Sequence, residues 1–128
     1  MSLPRDAPRI WLRIEAAAAL AFAVACYVWL GRGWGLFALL FLVPDVSFVG
    51  YLGGPRLGAW VYNVAHSTIG PLALLVVSQL EPARPLTIAG LIWLAHIGFD
   101  RMLGYGLKYP SDFHDTHLGR IGRSPDEM

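Results

Sequence analysis

Two polar pairs at helical spacing lie within apolar stretches of the sequence. His96 and Asp100 are four residues apart, so on a helix they share one face. Asn63 and His66 are three residues apart and share a face in the same way, with Tyr62 one turn from His66. Imidazole and carboxylate groups are ligands for Zn, Fe and Mn. The pattern therefore predicts a divalent metal site within the apolar part of the chain.

The composition is typical of a membrane protein. Of the 128 residues, 55% are hydrophobic and 15% are charged, and the mean hydropathy is +0.50. Soluble domains have about 25% charged residues. The net charge of +1 and the scattered arginines argue against nucleic-acid binding. We expect one membrane domain over residues 1–128.

Four apolar segments are long enough to cross a hydrocarbon core of about 30 Å. Breaks containing Gly or Pro separate them, and the loops are short, so neighbouring helices should be antiparallel. The sequence therefore predicts an all-α fold, an integral membrane four-helix bundle with up-down-up-down topology. Residues 105–128 form a short polar C-terminal tail. The predicted spans are residues 14–30, 34–52, 57–80 and 85–103.

The distribution of Lys and Arg predicts the orientation. With four spans, both termini lie on the same side of the membrane, and that side carries eight of the ten basic residues. Cytoplasmic loops are enriched in Lys and Arg, so both termini are predicted to be cytoplasmic.

The ionisable residues within the spans lie at similar predicted depths. At about 1.5 Å of rise per residue, Asp45 and His96 lie roughly 10 Å from the cytoplasmic ends of their helices, and His66 roughly 13 Å. Asp100 lies nearer the surface, and Glu15 lies near the start of the first span. A charge near the bilayer centre costs about 3 kcal/mol or more, so the groups should meet in one polar site.

Two readings of these groups remain open. In the first, they bind one or two metal ions. In the second, neutral histidines hydrogen-bond carboxylates on neighbouring helices and only fix helix pairing, at well under about 1 kcal/mol per bond.

The tail contains a second polar motif. Asp115 and His117 follow the helix-ending pair Tyr109-Pro110, and they are predicted to lie at the cytoplasmic mouth of the site. In one reading the tail is a flap whose Asp115 or His117 completes the site. In the other it is a solvated segment on the headgroups.

Several motifs make the chain resemble a family of small bacterial integral membrane proteins that is classified as a domain of unknown function. The resemblance covers roughly residues 15–122 and implies four membrane helices in a bacterial inner membrane, but no activity. Of the ionisable residues placed by depth, Asp45, His66, His96 and Asp100 also fall in these motifs. The motifs are Pro44-Asp45, Gly50-Tyr51, Gly54 to Arg56, Tyr62 to His66, His96 to Arg101, and G-L-K-Y-P and D-T-H-L-G in the tail.

The first functional hypothesis is a metal-dependent hydrolase that acts on a lipid or amphipathic substrate at the cytoplasmic face. His66 and His96, with Asp45 or Asp100 and with His117 from the tail, would bind the metal. A bound water would then have a pKa of about 7, and a remaining carboxylate would act as general base. The catalytic candidates are Asp45, Asp100 and Asp115, and the supporting residues are Glu15, Tyr62 and Asn63.

Two alternatives come from other classes of protein. A redox protein could use His66 and His96 for a bis-His haem or a non-haem iron centre. A transporter or structural subunit could use the ionisable residues as an ion path. The outer half of the predicted spans contains almost no polar side chains that could pass an ion along. A path across the whole membrane would therefore need an oligomer.

Overall fold

The computed structural model describes residues 3–80 and 84–108, and the backbone of two strand segments in the tail. It is an all-α membrane-type bundle, which confirms the predicted fold class. A 3₁₀ segment, Val43–Gly53, lies between α2 and α3. The strands β1 (Asp115–Thr116) and β2 (Gly119–Arg120) pair antiparallel. The helices are α1 (Leu3–Leu30), α2 (Trp34–Phe41), α3 (Pro55–His66), α4 (Ile69–Leu80) and α5 (Arg84–Met102).

The second predicted span is not one continuous α-helix. It begins as α2 and continues as the 3₁₀ segment. Pro44 has no N–H for the carbonyl of Leu40, and its ring clashes with that carbonyl in an α-helix. The change of helix type at this point therefore follows from Pro44.

The third predicted span is also interrupted. Helix α3 ends at His66, and Ser67 has an extended backbone with φ −78° and ψ 143°. Pro71 cannot donate to the carbonyl of Ser67 and would clash with it in a continuous helix. The Ser67 hydroxyl instead accepts a hydrogen bond from the N–H of Ile69 at 3.2 Å, which caps the start of α4.

Three helical segments are long and apolar enough to cross a membrane, namely Ala7–Leu30, Trp34–Gly53 and Pro55–Leu80. Helix α5, which matches the fourth predicted span, is not among them, and it carries Arg84, Asp100 and Arg101. It packs against α1, α2 and α4 and contains much of the buried core. The large apolar side chains of the other helices are mostly exposed, as expected where lipid is the solvent.

Helices α1 and α5 pack closely at Gly98. A Cβ atom at this position would lie 2.9 Å from the carbonyl oxygen of Ala16 and 3.0 Å from the backbone nitrogen of Leu20. Both neighbours are backbone atoms that cannot turn away as a side chain could. Small residues of this kind let membrane helices pack closely.

We expect Gly98→Val to destabilise the bundle, because the added methyl groups would push α1 from α5. Overpacking of this kind costs about 1–3 kcal/mol. Thermal unfolding in detergent should show a lower midpoint for this variant. Gly35→Ala is the matched control, since a Cβ at Gly35 meets no atom within 4 Å. Equal midpoints for the two variants would contradict the close packing.

Candidate metal centre

Four side chains from three segments converge on one point inside the bundle. Asp45 comes from the 3₁₀ segment, His66 from the end of α3, and His96 and Asp100 from α5. The Nε2 atoms of the two histidines lie 3.2 Å apart. Asp45 Oδ1 and Asp100 Oδ2 each lie 3.4 Å from Nε2 of His66 and 3.2 Å from Nε2 of His96. We call these four residues the His/Asp cluster.

The spacing of these atoms matches a tetrahedral metal site. A four-coordinate ion with ligand distances of about 2.0–2.2 Å separates its ligand atoms by roughly 3.3–3.6 Å. Five of the six separations in the His/Asp cluster are 3.2–3.4 Å, and all of its ligand atoms lie within 4.8 Å of one another. A charge-assisted hydrogen bond between imidazolium and carboxylate is shorter, at about 2.7–2.9 Å. The distances are therefore compatible with a metal ion at the centre of the cluster.

The outer hydrogen bonds of the histidines fix their tautomers. His66 Nδ1 lies 3.0 Å from the carbonyl oxygen of Tyr62, and His96 Nδ1 contacts the carbonyl oxygen of Phe41. A carbonyl oxygen only accepts, so each Nδ1 must carry a hydrogen and donate it. In a neutral ring, Nε2 then presents a lone pair toward the cluster. A backbone carbonyl on the second nitrogen is the usual support of a metal-binding histidine.

The carbonyl of Phe41 is available to His96 because of the local helix break. In an α-helix this carbonyl would accept from the N–H of Asp45. The N–H of Asp45 instead donates to Leu42 at 3.1 Å, in the i to i−3 pattern of a 3₁₀ turn. The same Pro44-Asp45 pair thus supplies one carboxylate of the cluster and releases a carbonyl that orients His96.

The motif Tyr62 to His66 supports the cluster from α3. The Tyr62 ring stacks on the His66 ring with centroids 3.8 Å apart and planes within 8°. The Asn63 amide makes two hydrogen bonds to the backbone of Lys108: its oxygen accepts from the N–H at 2.6 Å, and its nitrogen donates to the carbonyl at 2.8 Å. We call this pair of bonds the Asn63 clip. It holds the start of the tail against α3.

Two basic side chains lie beside the cluster. The ammonium of Lys108 lies 4.9 Å from the centroid of the Tyr62 ring, and burial lowers the pKa of this ammonium. The guanidinium of Arg101 donates to the carbonyl of His66 at 3.3 Å. Neither residue was picked as a site residue from the sequence, although both fall in the motifs that carry the resemblance. Lys108 lies 45 residues from Asn63 in the chain, so no local spacing relates them.

The remaining predicted residues lie elsewhere. Glu15 is exposed on α1 and lines a cavity of about 220 Å³ together with Arg101, outside the His/Asp cluster. The backbone of Asp115 lies in β1, but its side chain is outside the described part of the chain. His117 lies outside the described residues altogether. The proposed flap therefore stays a prediction.

A comparison of the sequence with models of protein families identifies the family of the chain. The model of Domain of unknown function (DUF4260) matches residues 9–121. The chain belongs to this family. The match covers the complete His/Asp cluster and the Asn63 clip, and it confirms the resemblance in the sequence motifs. No curated protein matches the chain, and no solved structure matches it.

We expect Asn63→Leu to release the start of the tail while the His/Asp cluster keeps its ligands. Two hydrogen bonds of about 1 kcal/mol each would be lost, so the Lys108 amide should exchange with deuterium at least about tenfold faster. Hydrogen exchange followed by mass spectrometry measures this rate. Gln79→Leu, which removes an amide far from the clip, should leave the rate unchanged. An unaltered rate in Asn63→Leu would show that the clip does not hold Lys108.

Proposed function

We propose that this protein is a membrane metalloenzyme whose His/Asp cluster binds one divalent metal ion and hydrolyses a lipid or amphipathic substrate. The observation that supports the metal is the convergence of two imidazole Nε2 atoms and two carboxylate oxygens at 3.2–3.4 Å. These four acceptors repel one another unless a cation lies between them. Two nitrogens and two oxygens in a tetrahedral arrangement suit Zn first, with Fe and Mn as further candidates.

We assign the fixed ligands by burial. The side chains of His66 and His96 are 4% and 2% exposed, and that of Asp100 is 19% exposed. Together they form a His₂-carboxylate set, which is a common ligand set of catalytic zinc. His96 and Asp100 lie one turn apart on α5, so the helix holds their relative position.

Asp45 has a different role in this proposal. Its side chain is 41% exposed, and it comes from a long 3₁₀ segment, a helix type that rarely persists beyond a few residues. We infer that Asp45 would be the exchangeable member of the set that holds the ion, while the other three residues would stay in place. A divalent ion would supply a bound water with a pKa of about 7. The Asp45 carboxylate would accept a proton from the water that attacks an ester, amide or phosphate bond and would return it to the leaving group.

The alternative of a bis-His haem has little support from the geometry. Such a haem requires the two Nε2 atoms on opposite faces of the macrocycle. Here they face each other at 3.2 Å with carboxylate oxygens beside them. A non-haem iron centre remains compatible with the same four ligands.

We also propose a bacterial inner membrane location with both termini in the cytoplasm. The excess of Lys and Arg on one predicted side supports the orientation. The exposed apolar side chains of the three membrane-type helical segments support the membrane. The family resemblance supports a bacterial source.

The metal assignment predicts one bound ion per chain in the wild type and little in His66→Ala or His96→Ala, because each variant removes a ligand. Inductively coupled plasma mass spectrometry of protein purified in detergent measures Zn, Fe and Mn together. Ser78→Ala is the matched control, since Ser78 is buried and, among the described residues, its hydroxyl bonds only to Leu75 and Gln79 of the same helix. The metal content of His117→Ala tests separately whether the C-terminal tail contributes a ligand.

A wild type that stays free of metal after incubation with Zn²⁺ and gel filtration would overturn the metal assignment. The cluster would then be protonated, and a hydrogen-bonded role in helix pairing would take its place. Circular dichroism of each variant distinguishes loss of the ion from loss of the fold.

The role of Asp45 predicts that Asp45→Asn keeps the ion but lowers the hydrolytic rate by about 10²–10⁴-fold, the contribution typical of a general base. Asp100→Asn should instead lose the ion. The rates are measured on a panel of chromogenic long-chain esters and phosphodiesters, with metal content determined on the same samples. Equal metal loss in both variants would show that Asp45 is an ordinary fourth ligand.

A further inference from the structure

A groove between α1, α4 and α5 takes no part in the proposed reaction. It measures about 690 Å³, and side chains from all three helices line it. Arg84, the first residue of α5, lies in its wall and precedes His96 by 12 residues, or roughly 18 Å of helix. We call this cavity the Arg84 groove. It lies toward the opposite end of α5 from the His/Asp cluster.

The lining of the groove changes from polar to apolar along the helices. Gln79 and Arg84 lie where α4 ends and α5 begins, and Thr87 follows one turn into α5. Leu75 lies one turn before Gln79, and Leu91 lies seven residues after Arg84, roughly 10 Å along the helix. A ligand with a polar head and an apolar chain matches this gradient.

The groove is open toward the lipid on the side of α1. Phe22 and Trp29, which line it from α1, are 62% and 87% exposed, whereas Leu91 is buried. The membrane-type segment Pro55–Leu80 ends close to Arg84 in the chain, so the polar end of the groove lies at a membrane surface. A hydrocarbon chain can therefore enter the groove from the bilayer, with its headgroup at that surface.

The guanidinium of Arg84 is available to a ligand. The side chain is exposed, and among the described residues it makes neither an ion pair nor a hydrogen bond. None of the described lining residues is acidic. A guanidinium presents its N–H donors in a planar fork that matches the oxygens of a phosphate. The polar end of the groove therefore favours an anionic headgroup.

We propose that the Arg84 groove binds one anionic phospholipid, with its phosphate on Arg84 and one acyl chain along Leu75 and Leu91. Basic pockets between membrane helices bind anionic headgroups in this way. The bound lipid bridges α1, α4 and α5 and is not the substrate of the His/Asp cluster, so this proposal and the metal centre can fail separately. A cavity of this size is within the usual range for a ligand site.

The first test is native mass spectrometry of the full chain in detergent with phosphatidylglycerol or phosphatidylcholine of identical acyl chains. We expect the wild type to prefer phosphatidylglycerol by about fivefold, the contribution of one basic residue near an anionic headgroup. Arg84→Gln should abolish this preference, and Arg84→Lys should keep most of it, because the charge remains.

Arg32→Gln is the matched control. Arg32 is an exposed arginine on the same predicted side of the membrane, and it is not among the described lining residues of the groove. This variant should retain the preference. A preference that survives in Arg84→Gln would overturn the proposal. An equal loss in Arg32→Gln would also overturn it, because general surface charge would then account for the binding.

The second test locates the acyl chain. Phosphatidylglycerol with a diazirine on one acyl chain is photolysed with the wild type, and the labelled residues are identified by mass spectrometry. We expect labels on Phe22, Leu75 or Leu91 that are lost in Arg84→Gln. Labels spread equally over exposed apolar residues outside the groove, such as Leu39 and Leu52, would contradict a bound lipid in the groove.

Discussion

Mutual repulsion among four acceptor atoms is the constraint on which the rest of this structure depends. Two imidazole nitrogens and two carboxylate oxygens converge in the middle of a bundle whose outer surface is apolar. Both Nδ1 hydrogens are already donated to backbone carbonyls, so the facing Nε2 atoms have none to offer while the rings are neutral. Positive charge must therefore lie between them, either as an ion or as protons.

Two prolines interrupt the helices that bring the cluster residues together. Pro44 ends α2 and starts the 3₁₀ segment, which frees the carbonyl of Phe41 for His96. Pro71 separates α3 from α4, so that α3 ends at His66 and its carbonyl accepts from Arg101. In each case a carbonyl at the end of a helix meets a side chain of α5. Broken helices in membrane proteins are tolerated where such partners satisfy the freed backbone.

The sequence could predict features that depend on spacing along one helix. The all-α membrane fold follows from composition and apolar length, and the four cluster residues stand out because polar groups are expensive at their depth. Contacts between helices could not be predicted in this way. Spacing along one helix determines which residues share a face, but not which helix packs against that face. The Asn63 clip and the Arg101 bond join residues 45 and 35 positions apart. The interruption at Pro44 follows from the missing N–H of proline, but the change to 3₁₀ geometry depends on tertiary packing.

Because α5 packs against several helices, ion binding in the proposed centre would be coupled to helix packing. This helix carries His96, Asp100 and Arg101, and its many buried residues lie against the other helices. That arrangement shields its polar groups from hydrocarbon, where each would cost several kcal/mol. The shielding is complete only if the two carboxylates are neutralised, because a buried unpaired charge is strongly destabilising. In the proposed metal centre, the free energy of ion binding would therefore also be free energy of assembly, as in other proteins whose ligands come together only on folding. The proposed catalytic role depends on the partly open carboxylate of Asp45, because a centre that served only to hold the helices would need no exposed side chain.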